Sequence, residues 1–308
     1  MSRIKRRASL AVVAVLVAGC LGGCGAATGV AQAGPGGTIS VVAAENFWGS
    51  IAGQLGGDRV TVTSIVTNPD TDPHSYEATA RDGRAFAAAQ FVIVNGVGYD
   101  PWAESLLDAN ATKGRTVLDV GKLVGVAAGG NPHRWYDPQD VGKVIEQITA
   151  DYARIDPKEA SYFEHRMTTF STRDLAQYHH LIKVIKAEYA GTPIGASESI
   201  VTPLAAALGL RLLTPQSFLD AVSEGNDPTA ADKATIDAQI QHNQIKIYVY
   251  NSQNATPDVT AQVQAARSRG IPVATVTETL DPAGDTFEAW QVHELRGIQA
   301  ALASAGGR

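Results

Sequence analysis

The sequence predicts an α/β protein with two parallel sheets, and three observations carry that reading. Short β-branched runs alternate with helical stretches between Thr38 and Ile155, and the alternation resumes after Pro193. Between the two series, no Gly or Pro interrupts Lys158 to Ala190. The chain has 308 residues, enough for two lobes with a core each, and its 44% hydrophobic and 18% charged content is that of a globular protein.

Taken in order, Ile39 to Val42 opens a strand and Phe47 to Leu55 a helix. Val60 to Val66 alternates β-branched and polar residues as a strand does, and Glu77 to Gln90 is Ala-rich and helical. Phe91 to Val94 reads as a buried strand, Trp102 to Leu107 as a helix and Thr116 to Val120 as a short strand. A further apolar run, Leu123 to Ala128, precedes a helix with Val141, Val144, Ile145, Ile148 and Tyr152 on one face. From Phe163 to Tyr189 apolar residues recur at helical spacing with one five-residue skip, Phe170 to Leu175. That pattern fits one helix of about 50 Å or two helices with a kink at the skip. The second series has strands at Ile194–Ala196, Leu210–Leu213, Ile245–Tyr250 and Val273–Val276. Helices are expected at Ile200–Leu208, Thr229–His242 and Thr256–Arg269, with a last one carrying Phe287, Trp290, Leu295, Ile298 and Leu302. No short-period repeat is present.

The amino terminus is a processing signal. Met1 to Arg7 is basic and Leu10 to Ala18 apolar, too short for a stable span. The sequences ending at Cys20 and Cys24 resemble the bacterial lipobox, in which the cysteine is acylated; an ordinary signal peptide cut near Ala33 is the alternative. The expected organisation is therefore a signal peptide with lipobox over 1–24 and a Gly-rich tether over 25–37. An N-terminal α/β lobe over 38–155, a connecting helix over 156–190 and a C-terminal α/β lobe over 191–308 follow. The net charge of -6 argues against nucleic acid as partner. Cys20 and Cys24 are the only cysteines, so the body has no disulfide, thiolate ligand or Cys nucleophile.

Two Pro-His dipeptides stand out, in Asp72-Pro73-His74-Ser75-Tyr76-Glu77 and in Asn131-Pro132-His133-Arg134-Trp135. Proline stiffens the backbone that carries each imidazole. Glu198 and Glu278 follow predicted strands in the second half, and all four residues are expected between a strand and a helix, where open α/β sheets bind ligands. If the two sheets face each other, two imidazoles and two carboxylates meet in the cleft. That set suits Mn, Fe or Zn and is too nitrogen-rich for Ca or Mg. Each carboxylate also has a plainer role at a helix start. Asp281 and Asp285 read as turn and N-cap residues, though either could replace Glu278. His165, His179, His180, His242 and His293 fall on predicted helices and read as solvated or satisfied. The chain has no His-Glu-x-x-His, P-loop, Gly-x-Gly-x-x-Gly or Gly-x-Ser-x-Gly.

These motifs, with Ala196-Ser197-Glu198 and Gly284-Asp285-Thr286-Phe287, resemble the zinc/manganese class of solute-binding proteins of bacterial ABC importers, from about Thr38 to Leu302. The resemblance implies two Rossmann-like lobes with parallel sheets joined by a long connecting helix, and a metal site in the interlobe cleft. It implies metal ligands at His74, His133, Glu198 and Glu278, with Zn2+ or Mn2+ as cargo. It further implies a monomeric, non-enzymatic lipoprotein outside the cytoplasm that delivers its ion to a membrane permease driven by an ATPase. Two departures matter: the fourth position is Glu where the family usually has Asp, which keeps Asp281 and Asp285 in play, and the third is Glu, as in manganese-type members. The His-rich loop of many zinc members is absent, since no His lies between His74 and His133. The alternatives are a secreted metal-dependent hydrolase with an open coordination position, and a surface adhesin or chelated-metal carrier on the same frame.

Overall fold

The computed structural model describes residue 34, residues 37–71 and residues 73–306. The expected signal segment with Cys20 and Cys24, most of the expected tether, and Asp72 lie outside the described residues. The first lobe runs β1 (Ile39–Glu45), α1 (Asn46–Gly56), β2 (Val60–Val66), α2 (Ala80–Ala88), β3 (Phe91–Val94), α3 (Pro101–Ala109), β4 (Thr116–Asp119) and α4 (Val120–Val124). Its strands are parallel in the order β2-β1-β3-β4. All of β3, Phe-Val-Ile-Val, is buried, as expected of a strand covered on both faces. Helix α2 begins at Ala80 rather than Glu77 because Thr79 and Asp82 form a capping box there.

One expectation needs correcting. His133 does not follow a strand. The apolar run from Leu123 overlaps α4, which Gly125 ends in the left-handed region at φ 78°, and loop 125–133 delivers His133. Helix α5 (Pro138–Ile155) follows, and buries Val141, Val144, Ile145, Ile148 and Tyr152.

The connector is α6 (Ala160–Thr169), a π turn over Phe170–Asp174, and α7 (Ala176–Tyr189). The five-residue skip is that turn: the Leu175 N–H donates to the Phe170 carbonyl at 2.9 Å, an i→i+5 bond. The wider turn lets Phe170 and Leu175 both face the core, and both are buried.

The second lobe runs β5 (Pro193–Ala196), α8 (Val201–Leu208), β6 (Arg211–Leu212), α9 (Gln216–Ser223), α10 (Ala230–Gln241), β7 (Ile247–Asn251), α11 (Pro257–Ser268), β8 (Val273–Val276) and α12 (Phe287–Gly306). Its parallel order is β6-β5-β7-β8, the arrangement of the first lobe repeated without a repeat in sequence. Helix α9 was not expected. Its two turns bury Phe218, Leu219 and Val222. Among the described residues, no helix is long and apolar enough to cross a membrane.

The lobes share one core. Phe47 stacks on Trp135 at 4.1 Å between ring centres and lies near Trp48, Tyr99 and Trp290, so aromatic side chains from both series pack together. The segment at and before α12 returns to α1: the Leu280 N–H donates to Asn46 Oδ1, the Phe287 N–H to Ser50 Oγ, and Gln54 Nε2 to Glu288 Oε2. Phe47→Ala should therefore cost about 3–5 kcal/mol in urea unfolding. Because its cavity opens where the lobes join, the loss should appear in one transition shared by both lobes; separate transitions would show independent lobes.

Candidate metal centre

His74 sits in the tight turn Pro73–Ser75 between β2 and α2, and the indole N–H of Trp102 donates to the Pro73 carbonyl at 3.2 Å. Its ring is half-buried, edge-on to Tyr99 at 4.5 Å and 6.2 Å from the ring of His133. His133 is fully buried at the start of the turn Arg134–Tyr136. Its N–H donates to Asn131 Oδ1 at 3.0 Å, and its Nδ1 lies 3.0 Å from the same oxygen. Asn131 Nδ2 donates to the Ser199 carbonyl at 2.7 Å, which fixes the amide's orientation. The network thus assigns the proton to Nδ1 and leaves the Nε2 lone pair available. That Nε2 makes no hydrogen bond and stands 3.7 Å from Glu278 Oε1.

Glu278 follows β8 and is almost wholly buried. Its Oε2 accepts from the Tyr99 hydroxyl at 2.7 Å and its Oε1 from Asn251 Nδ2 at 3.2 Å. Burial alone would raise its carboxyl; the positive charge that His133 and His74 carry when protonated, with the Tyr99 hydroxyl, outweighs that and holds it below the usual range, and a cation bound in their place would act in the same direction. His74, His133 and Glu278 each offer a ligand atom within 4.8 Å of the others. Two neutral imidazoles and one carboxylate form a donor set for a borderline divalent cation.

Glu198 lies at the end of β5, fully buried, and its Oε2 accepts from Asn254 Nδ2 at 2.8 Å. Its carboxylate stands outside the group of three. Asn254 nevertheless lines, with His74 and Glu278, a cavity of about 120 Å³ under Pro69–Thr71. Asp281 is exposed and Asp285 half-buried in a turn closed by its N–H to the Pro282 carbonyl; neither joins the group.

Sequence reasoning missed the side chains that hold these ligands. Tyr99 is presented by the turn Gly96-Val97-Gly98, three consecutive residues at positive φ. Asp100 ties that turn down by accepting from the N–H groups of Asn95 and Gly96, and a Cβ at Gly96 would stand 2.5 Å from Asp119 Oδ1. Tyr136 donates to Glu294 at 2.6 Å and lies 2.9 Å from the Thr277 carbonyl, so it joins the loop of His133 to that of Glu278. Asn251 ends β7, and Gln253 and Asn254 follow it. A polar Asn-Ser-Gln-Asn run at a strand end was the available signal.

The fold recurs in solved structures. The Mn-bound periplasmic metal binding protein from Candidatus Liberibacter asiaticus superposes with a TM-score of 0.70 at 19% identity, covering 86% of this chain and all of the other. A crystal structure of ZnuA does so at 0.66 and 20% identity, covering 87% of this chain and 98% of the other. These likenesses define the class of architecture, a two-lobed α/β protein with a parallel four-stranded sheet in each lobe. The family model described as ZnuA, zinc-uptake complex component A periplasmic, matches residues 41–301, and the chain belongs to that family. Among curated relatives, the manganese-binding lipoprotein MntA of Halalkalibacterium halodurans is 29% identical over 164 residues, 51% of this chain and 53% of that protein. The iron-binding protein YfeA of Yersinia pestis is 29% identical over 132 residues, 40% and 41% of the two. The chain spans about half the length of the curated relatives it matches.

Beside the centre, burial pushes the Glu294 carboxyl up to about 8 against the hydrogen bonds of Tyr136 and Thr277. Its usual value is 4.5, so its contribution to stability is full below that pH and is lost as pH rises through about 8. The urea midpoint should accordingly fall between pH 5 and 8.5 in the wild type and fall less in Glu294→Gln; parallel pH profiles would contradict this.

Proposed function

We propose that this chain is the extracytoplasmic solute-binding component of an ABC importer and captures a divalent transition cation, zinc or manganese, in the interlobe cleft. His74, His133 and Glu278 would be its ligands and Glu198 the fourth. A membrane permease with its ATPase would receive the ion, and acylation at Cys20 or Cys24 would hold the monomeric protein at the membrane. The observation that carries the reading is the convergence of two imidazoles and a buried carboxylate, drawn from both lobes, within 4.8 Å. The His133 tautomer supports it, because an imidazole held through Nδ1 offers Nε2 to a metal. Names of relatives add support: a manganese-binding lipoprotein, an iron-binding protein, and structures with Mn or Cd bound. Binding rather than catalysis is the activity in view, since the family is one of uptake components.

The test is metal content by mass spectrometry on protein from Thr38 onward, followed by stripping and titration with Zn2+ or Mn2+. We expect about one equivalent, and at a hundredfold excess over Kd a stabilisation of about 2.7 kcal/mol. His74→Ala and His133→Ala should abolish the melting shift; a shift that survived both would overturn the assignment. Imidazole must be deprotonated to bind, so affinity should fall as pH is lowered. A pH-independent Kd between 5 and 8 would contradict imidazole ligation.

A further inference from the structure

Strand β7 lies between β5 and β8, so the segment Asn251-Ser252-Gln253-Asn254 that leaves it stands between two acidic turns. It is bonded to both. Toward the turn of Glu198, the Asn251 N–H donates to Ser197 Oγ at 3.0 Å and Asn254 Nδ2 to Glu198 Oε2 at 2.8 Å. Toward the turn of Glu278, Asn251 Nδ2 donates to Glu278 Oε1 at 3.2 Å. Gln253 Oε1 accepts from the N–H groups of Glu278 and Thr279 at 2.8 and 3.1 Å.

The amide orientations follow from their other partners. Asn254 Nδ2 also faces the Val222 carbonyl at 3.3 Å, which can only accept. Asn251 Oδ1 accepts from the Gln253 N–H at 2.9 Å, which turns Nδ2 to Glu278. Glu198 therefore has one oxygen committed to a carboxamide N–H, whereas both oxygens of Glu278 accept, Oε1 from Asn251 and Oε2 from the Tyr99 hydroxyl. The choice of donor has a chemical reason. Lys or Arg here would neutralise the carboxylates and repel a dication, whereas a carboxamide orients them and adds no charge.

Hydrogen bonding at one oxygen disfavours chelation through both. We propose that Asn254 is a positioning residue that keeps Glu198 as a one-oxygen donor, and thereby favours a four-coordinate cation such as Zn2+ over a six-coordinate one such as Mn2+. The proposal deepens, and rests on, the cation-capture reading above. Zn2+ takes four ligands in a tetrahedron, while Mn2+ accepts octahedral, oxygen-rich sets that a two-oxygen carboxylate helps to complete.

Asn254 is only half-buried, so truncation there is the usable test. Affinities for Zn2+ and Mn2+ alone, by chelator competition, would be compared in wild type, Asn254→Ala and the amide-retaining Asn254→Gln. X-ray absorption on the Zn2+-loaded proteins would count the oxygens around the ion. In Asn254→Ala we expect Zn2+ affinity to fall about tenfold or more with Mn2+ affinity held or raised, and the oxygen count to increase. Asn254→Gln should keep the wild-type ratio and count. An unchanged affinity ratio in Asn254→Ala, including the case in which both affinities fall together, would overturn the proposal while leaving cation capture standing. A wild type that binds neither ion would instead overturn cation capture, and this proposal with it.

Discussion

Glu278 is buried where the two lobes meet, and burying an ionised carboxylate costs several kcal/mol unless its surroundings replace the lost water. Here they do so from both sides. The Tyr99 hydroxyl reaches it from the first lobe and Asn251 from the second. A charge satisfied from two lobes holds those lobes at one separation. Tyr99 in turn needs the positive-φ turn Gly96–Gly98, and that turn needs Asp100 to accept its N–H groups. The fold around the cleft is thus a chain of dependencies that ends at one carboxylate.

The floor beneath is aromatic. Trp135 packs against His133 at 5.3 Å, Tyr99 at 5.1 Å and Phe47 at 4.1 Å between ring centres. Such a floor excludes water from below and stiffens the imidazole that rests on it. Tyr136, one residue along from Trp135, bonds to Glu294 and Thr277. Packing and hydrogen bonding therefore enter the same short segment, 131–136, and both restrain His133. Large hinge motion has little place in this arrangement. Cross-lobe bonds at Asn131–Ser199, Tyr136–Thr277, Asn46–Leu280 and Ser50–Phe287 would all have to break.

Most elements were legible because their signals are local. The Val60–Val66 alternation and the Val141–Tyr152 stripe became β2 and the buried face of α5, since periods of two and 3.6 residues survive any tertiary context that buries one face. The five-residue skip was visible as a defect in period, but its meaning was not. A kink and a π turn leave the same gap, and only the backbone bond from Leu175 to Phe170 distinguishes them. Loop 125–133 was misread because an apolar run carries no mark of the glycine-capped helix that absorbs its start. Helix α9 escaped although its buried residues, Phe218, Leu219 and Val222, stand at helical spacing.

By itself the sequence determined the α/β class, the apolar helical pattern between the two series and the two Pro-His elements, each written in neighbouring residues. Local chemistry suffices there: periodicity sets the elements, and proline stiffens the backbone beneath an imidazole. It also singled out Glu198 and Glu278 by place, but not their different surroundings. Only the tertiary structure brought Glu278 to His74 and His133 and left the Glu198 carboxylate with Asn254 outside that group. It alone revealed Tyr99 and the Asn251–Asn254 segment as the groups that hold the carboxylates. The physical reason is separation along the chain. Tyr99 and Glu278 are 179 residues apart, and a hydrogen bond over that interval leaves no periodic trace in either neighbourhood.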